Sequence, residues 1–240
     1  MKDLKQFKQE CERIRNEIEQ IRVKADEEVG IDGVINSERY FKASPRVLWI
    51  LKEPNGDVND YAVAFANDQR EETVHNKTTM PKIIWASYGI LGTPTLSPFD
   101  DEEWSKMPSY QSEQCFDALS DIAFINIKKT HGGGSVSDDV IRELYNENCD
   151  LLKRQIKLYD PEVLIFGGTF KFFDKNDFEG WDKVQEYASE FLDNHSCYYA
   201  GDKLYIDTCH PAYWGVKDDD YVFDIVNAVR TWCRVVCPKK

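Results

Sequence analysis

Hydrophobic and polar positions follow two different patterns along the chain. From residue 3 to residue 29, apolar side chains recur every three or four positions in an otherwise charged segment, which predicts one amphipathic helix. Further on, four short runs are apolar at nearly every position, as in strands that are buried on both faces. These runs are residues 47–51, 123–127, 163–166 and 204–207.

Helical patterns separate these runs. They cover residues 80–91 before the second run, 137–158 between the second and third, 181–192 before the fourth, and 221–236 at the end. Strands that alternate with helices predict an α/β fold, here a three-layer α/β/α domain around a four-stranded parallel sheet. We expect residues 1–35 to form an N-terminal helix packed on a single domain of residues 36–240. In such folds, ligands bind at the carboxyl ends of the strands.

Composition narrows the class of protein. The chain has 240 residues, 42% of them hydrophobic and 30% charged, with a formal net charge of −13. This charge opposes indiscriminate nucleic-acid binding but permits a local basic site. The apolar runs are too short to cross a bilayer, and the first five residues lack the apolar core of a signal peptide, so we expect no membrane partner.

Cysteine and histidine usage makes a metal site unexpected. The seven cysteines are scattered without a Cys-x-x-Cys pair, and there are four histidines. We therefore predict no metal and no cofactor, and a cytoplasmic protein with reduced thiols. A monomer is the expectation, and a dimer formed through the N-terminal helix stays open.

Polar residues capable of chemistry stand at the predicted strand ends. Glu53 lies in a tight loop after the first run, and Asn126 interrupts the second, where a buried amide needs a partner or a ligand. The loop of residues 128–135 is basic and glycine-rich and leads into a helix, a geometry able to hold phosphate. His210 follows the fourth run, held by Pro211 and followed by two large aromatic residues.

The order of these features resembles the uracil-DNA glycosylase superfamily. The similarity spans residues 45–235 and rests on an acidic residue before a proline, an asparagine on a strand, a Gly-Gly-Thr strand end and a His-Pro loop. These are Glu53-Pro54, Asn126, residues 167–169 and His210-Pro211. That superfamily has a four-stranded parallel sheet with flanking helices, which agrees with the strand count above.

The resemblance implies a hydrolase of DNA repair that removes uracil or another altered base from duplex or single-stranded DNA. The base is flipped out of the stack and its N-glycosidic bond is cleaved. Glu53 and His210 would be catalytic, Glu53 acting on the attacking water and His210 on the departing base. The base would be bound by Asn126, Phe65 and Asn55. Phosphates and DNA would be held by Lys52, Lys128, Lys129, Ser135, Tyr213 and Trp214, with Trp214 or Tyr213 as the wedge.

The segment from Asn126 to Thr169 is closer to the iron–sulfur branch of the superfamily. Cys149 fits the helix position of a cluster ligand, but Thr130 stands where a loop cysteine belongs, so we expect no iron–sulfur cluster. One alternative is a catalytically inactive or repurposed nucleotide- or nucleic-acid-binding module of the same fold. Another is a doubly wound hydrolase of a small phosphorylated metabolite, which the glycine-rich loop permits.

Overall fold

A computed structural model describes residues 3–25, 28–54, 58–92, 97–131, 136–174, 177–178, 185–187 and 195–235. The helices are α1 Leu4–Ala25, α2 Ser37–Lys42, α3 Tyr61–Ala64, α4 Arg70–Thr73, α5 Met80–Leu91, α6 Asp101–Ser105, α7 Glu113–Phe116, α8 Asp138–Tyr159 and α9 Asp218–Val235. Short 3-10 helices lie at Asn67–Gln69, Asp117–Asp121 and Phe170–Phe172. The strands are β1 Gly33–Val34, β2 Val47–Leu51, β3 Ile122–Asn126, β4 Val163–Gly167, β5 Gln185–Tyr187, β6 Ser196–Ala200 and β7 Lys203–Thr208.

Within the described residues the strands form one mixed sheet in the order β1-β3-β2-β4-β7-β6-β5. The four central strands β3, β2, β4 and β7 are parallel, and they are the four predicted from the apolar runs. The α/β class is therefore confirmed. The prediction of a sheet with four parallel strands only is wrong, because β1 is antiparallel to β3, and β6 and β5 continue the other side antiparallel.

Both faces of the sheet are covered, which explains why the central strands are apolar at nearly every position. Along β2, Trp49 and Leu51 join a core that also contains residues of α5 and α9. Leu48 and Ile50 point the other way, into a core that contains residues of α1 and α8. The alternation of side chains along a strand thus divides one continuous apolar run between two helical layers.

The amphipathic N-terminal pattern forms α1, which ends at Ala25 rather than at residue 29. Its apolar stripe contributes Phe7, Cys11, Ile14 and Ile18 to the core on the α8 side of the sheet. The chain then returns to the sheet, where β1 pairs with β3. The N-terminal segment therefore supplies both a covering helix and an edge strand to the α/β domain.

The prediction of a helix over residues 181–192 is wrong where the structure describes it, because Gln185–Tyr187 is strand β5. The remaining residues of that range lie outside the described residues. β6 pairs with β7 in a hairpin that turns at Gly201, whose φ is +59°. A Gly-Asp dipeptide between two runs of tyrosine and apolar residues is typical of such a turn, so the sequence did contain a signal for this hairpin.

None of the helices that the structure describes combines the length and the apolar character needed to cross a bilayer.

Replacement of Ile18 by alanine should lower the free energy of unfolding by about 2–5 kcal/mol, since its side chain is fully buried under α1 and its loss leaves a cavity. The matched control is Glu19→Ala, an exposed neighbour on the same helix, for which we expect a change within about 0.5 kcal/mol. Urea unfolding of both variants makes the measurement. An equal, small effect of the two would mean that α1 does not pack on the sheet.

Candidate functional site

A pocket of about 590 Å³ opens at the carboxyl ends of the parallel strands. Leu51 at the end of β2 and Phe124 of β3 contribute to its lining. Three residues predicted from the sequence line the same pocket, namely Glu53, Phe65 and His210. The topology brings them together, because parallel strands of one sheet end at one edge and the loops that follow share that edge.

Glu53 lies in the loop directly after β2, with its side chain only 11% exposed. The Nζ atom of Lys128, in the loop after β3, lies 3.5 Å from its Oε2 atom and also donates a hydrogen bond to the carbonyl of His131. Backbone pairing continues past the two strands, since the Lys128 N–H donates to the carbonyl of Lys52. The carboxylate is therefore held by two adjoining loops rather than by one free turn.

His210 lies in the loop after β7, and this loop packs against the end of β4. A Cβ atom at Gly167 would collide with Leu51, and Gly168, with φ of +72°, lies close to the backbone of His210. The close contact at Gly167 and the positive φ at Gly168 favour glycine at both positions, which accounts for the two glycines of the Gly-Gly-Thr motif. Burial lowers the pKa of His210 to about 4, helped by the positive charges of Lys52 and Lys82.

The hydrogen bonds of His210 assign its tautomer. Its Nδ1 atom accepts from the N–H of Ala212 at 3.1 Å. Because the lowered pKa leaves the ring neutral near pH 7, its proton then resides on Nε2, and that N–H is the donor His210 can offer to a ligand in the pocket.

Asn126 ends β3 and is fully buried, and neither its amide oxygen nor its amide nitrogen has a hydrogen-bond partner among the described residues. Its register partner Leu51 and its neighbour two positions earlier, Phe124, both line the pocket. Paired and alternate positions of a sheet share one face, so the Asn126 side chain points toward the pocket side. An unpaired buried amide is unfavourable in the free protein and is satisfied by a ligand that offers both a donor and an acceptor.

Aromatic rings form one wall of the pocket. Phe65 packs edge-to-face against Tyr61 at 5.5 Å and against Phe124 at 5.6 Å between ring centroids. Phe65 is almost completely buried, which fixes its ring in place. This wall supplies apolar contact for a flat ligand that the polar residues orient.

The loop after His210 presents its two aromatic residues to solvent. Trp214 is 91% exposed and Tyr213 is 48% exposed. Lys82 of α5 anchors the loop, since its buried amine donates hydrogen bonds to the carbonyls of Tyr213 and Val216. The loop is therefore a fixed support for exposed aromatic side chains beside the pocket.

The remaining predicted DNA-binding residues take different positions. The amine of Lys52 pairs with Asp138 at 2.9 Å, at the same edge of the sheet. The prediction that Lys129 binds phosphate is wrong. Its side chain is 1% exposed and its amine donates hydrogen bonds to Asp32 and Gln155, so the amine is not presented to a phosphate. Asn55 and Ser135 lie outside the described residues.

The sequence alone did not identify several polar residues that line the pocket, among them Asp60 and Thr79. Asp60 caps α3 and forms an ion pair with Arg15 of α1. Thr79 precedes α5 with a buried hydroxyl that has no hydrogen-bond partner in the described structure. An aspartate just before a helix is a recognisable cap signal, whereas nothing in the sequence marks Thr79.

Cys149 and Thr130 are the two positions that the sequence analysis compared with cluster ligands of the iron–sulfur branch, and neither lies in a described cluster of metal-ligating side chains. Among the described residues, no group of three or more His, Cys, Asp or Glu is arranged to hold a metal ion. Cys149 is half-buried on α8, and Thr130 is buried where it bridges to Val29.

Comparison with models of protein families and with curated proteins finds no match for this chain.

Asn126→Leu should raise the free energy of unfolding by about 1–2 kcal/mol, because it replaces an unpaired buried amide with an apolar side chain of similar size. Asn227→Leu is the matched control. Asn227 is also buried, but its amide accepts from the N–H of Phe99 and donates to its carbonyl, so we expect destabilisation. Urea unfolding measures both, and a loss of stability in Asn126→Leu equal to the control would mean that the amide is satisfied in the free protein.

The His210 imidazole should titrate near pH 4 when followed by ¹⁵N NMR, with the signal assigned through His210→Gln. Lys52→Met should raise this pKa, because it removes a positive charge that disfavours the imidazolium ion. Lys106→Met, which removes an exposed amine paired with Glu102, serves as the control and should leave the midpoint unchanged. A midpoint at pH 6.5 or above would contradict the buried, neutral ring.

Proposed function

We propose that this chain is a DNA glycosylase of the uracil-DNA glycosylase type, which hydrolyses the N-glycosidic bond of an altered base flipped out of DNA. The observation that carries the proposal is the meeting of four residues at one strand edge. Glu53, Phe65 and His210 line one pocket, and the unpaired amide of Asn126 faces the same side of the sheet.

Base recognition is the role that fits Asn126 and the aromatic wall. An amide carries a donor and an acceptor side by side, which matches the hydrogen-bonding edge of a nucleobase. The buried ring of Phe65 offers contact to the flat faces of that base. The pocket thus combines edge reading with aromatic contact, the two interactions that a flipped base requires.

Bond cleavage is the role that fits Glu53 and His210. The glycosidic bond breaks through a transition state in which the sugar gains positive charge and the leaving base gains negative charge. The Glu53 carboxylate would orient or deprotonate water and stabilise the cationic sugar. The neutral His210 would donate its Nε2 proton in a hydrogen bond to the base oxygen that becomes negative.

The surroundings of the pocket support DNA as the substrate. Tyr213 and Trp214 are exposed on the anchored loop that carries His210, where a wedge could enter the space left by a flipped base. Lys52 and Lys128 lie at the same strand edge, where each amine is paired with one carboxylate, of Asp138 and Glu53 respectively. The four parallel strands with helices on both faces are also what the superfamily resemblance implies.

A second candidate is a binding module of the same fold for a base or nucleoside. One observation favours it. Among the described residues that line the pocket, Glu53, Asp60 and Glu72 are acidic and none is lysine or arginine. A pocket of this charge suits a neutral base better than a free phosphate. Such a module would bind ligand without releasing a base, and its DNA affinity would depend little on salt.

The decisive experiment incubates the protein with labelled duplexes and single strands that carry uracil, hypoxanthine, xanthine or hydroxymethyluracil, and then cleaves abasic sites with alkali. We expect strand scission at one or more of these bases. Glu53→Gln should lower the rate about 10²- to 10⁴-fold, because the carboxylate acts on water and on the charged sugar.

Glu72→Gln is the matched control, since Glu72 lines the same pocket from α4 and has no part in the proposed chemistry. We expect its rate to stay within about threefold of the wild type. Scission that survives in Glu53→Gln would remove Glu53 from the mechanism. Absence of scission on every substrate, together with salt-insensitive DNA binding, would favour the binding module.

A further inference from the structure

A buried ion pair lies directly beside the strand end that carries Asn126. Asp32, just before β1, is 0% exposed, and Lys129, just after β3, is 1% exposed. The Lys129 amine donates to Oδ1 of Asp32 at 2.9 Å and to Oδ2 at 2.7 Å, and a further hydrogen bond goes to Gln155 of α8 at 2.9 Å. The pair thus joins the N-terminal segment, the loop after β3 and the α8 layer.

The same carboxylate holds the backbone of Asn126. The pairing of β1 with β3 ends at Gly33 and Phe124 and resumes only at the bridge between Val29 and Thr130, so no strand residue pairs with Asn126 on this side. There, Oδ2 of Asp32 accepts the N–H of Asn126 at 2.7 Å. The Asp32 side chain therefore takes the place of a strand as the partner of the Asn126 backbone N–H. The side-chain amide of Asn126 has no partner among the described residues.

A gain in stability alone does not explain why these two charges are buried together. Two charges taken out of water lose solvation that their attraction only partly restores, and apolar replacements of buried pairs are often neutral or stabilising. The best-attested use of a buried pair is to specify one arrangement of the chain. Here both carboxylate oxygens of Asp32, the Lys129 amine and the Gln155 amide are hydrogen-bonded, and Gln155 also donates to Oδ1 of Asp32 at 2.9 Å. The side-chain amide of Asn126 has no such partner among the described residues.

We propose that Asp32, held by Lys129 and Gln155, is a positioning residue that fixes the orientation of the Asn126 amide toward the pocket and thereby sets base selectivity. This inference rests on the proposed function in one respect, because base selectivity has meaning only for a protein that binds or removes bases. The positioning of the amide itself can be measured without activity.

Two double variants separate positioning from stability. Asp32→Leu with Lys129→Met removes both charges and the acceptor for the Asn126 N–H. Asp32→Asn with Lys129→Met removes both charges but keeps an oxygen that can accept that N–H. The two proteins differ only at residue 32, so a difference between them reports the acceptor.

Selectivity is measured as the ratio of kcat/KM for the base removed fastest to that for the next base of the panel. We expect this ratio to be about tenfold lower or more in the leucine variant than in the wild type, since a small misplacement of a binding group is enough for such a loss. The asparagine variant should stay within about threefold of the wild type. Equal ratios in the wild type and the leucine variant would overturn the proposal.

The control is the ion pair at the opposite end of the same strand. Arg39 of α2 binds Asp121, the residue before β3 begins. The double variant Arg39→Met with Asp121→Asn should lower the unfolding temperature without changing selectivity. A loss of selectivity in this control equal to that of the leucine variant would show a general loosening of β3 and would refute positioning by Asp32.

A second measurement keeps the inference testable without catalysis. The side-chain NH₂ signals of Asn126, assigned by their absence in Asn126→Leu, should be one sharp pair in ¹H–¹⁵N spectra of the wild type and of the asparagine variant. They should split or broaden in the leucine variant. If the wild type removes no base, the proposed function fails, and the positioning of Asn126 by Asp32 is then tested by this spectrum alone. A sharp pair of Asn126 signals in the leucine variant would contradict such positioning.

If the leucine variant does not fold, Gln155→Leu takes its place. It keeps the ion pair but removes the contacts of Gln155 to Asp32 and to Lys129. We expect a loss of selectivity greater than that of the asparagine variant but less than about tenfold, with broadened Asn126 amide signals. An unchanged ratio and an unchanged spectrum would overturn the proposal.

Discussion

Burial of β2 on both faces is the constraint on which the rest of the structure depends. Every residue of this strand is buried, so its backbone N–H and C=O groups must be paired inside the sheet. The parallel strands β3 and β4 meet that requirement on its two sides. Because these pairings are in register, Leu51 lies beside Asn126, and the loops that follow the strands emerge at one edge.

Two kinds of buried polar group lie at that edge, and they differ in whether their polar atoms have hydrogen-bond partners. Around Asp32 and Lys129 each charged atom has its partners, which is what a low-dielectric interior demands of a structural network. The Asn126 amide beside them has none in the described structure. Under the proposed function, a base bound in the adjacent pocket would satisfy this amide.

Sequence patterns predicted the elements whose burial follows a simple period. β2 and α5 begin and end at the predicted residues, since continuous apolar runs and clear helical spacing leave little choice. The antiparallel strands β5 and β6 were missed because neither contains a continuous run of aliphatic residues, since β5 reads Gln-Glu-Tyr and β6 reads Ser-Cys-Tyr-Tyr-Ala. Lys129 was assigned to phosphate binding because its partner Asp32 lies 97 positions earlier in the chain, where no local pattern connects the two.

The sequence by itself determined which segments are buried on both faces, and therefore that Glu53, Asn126 and His210 follow strands of one sheet. Only the tertiary structure decided the order of those strands, the ion pair that occupies Lys129, and the lack of a partner for the Asn126 side-chain amide within the described part of the chain. The reason is physical. Burial follows from the local spacing of apolar residues, whereas the pairing of a buried polar atom depends on which distant side chains packing brings within about 3 Å.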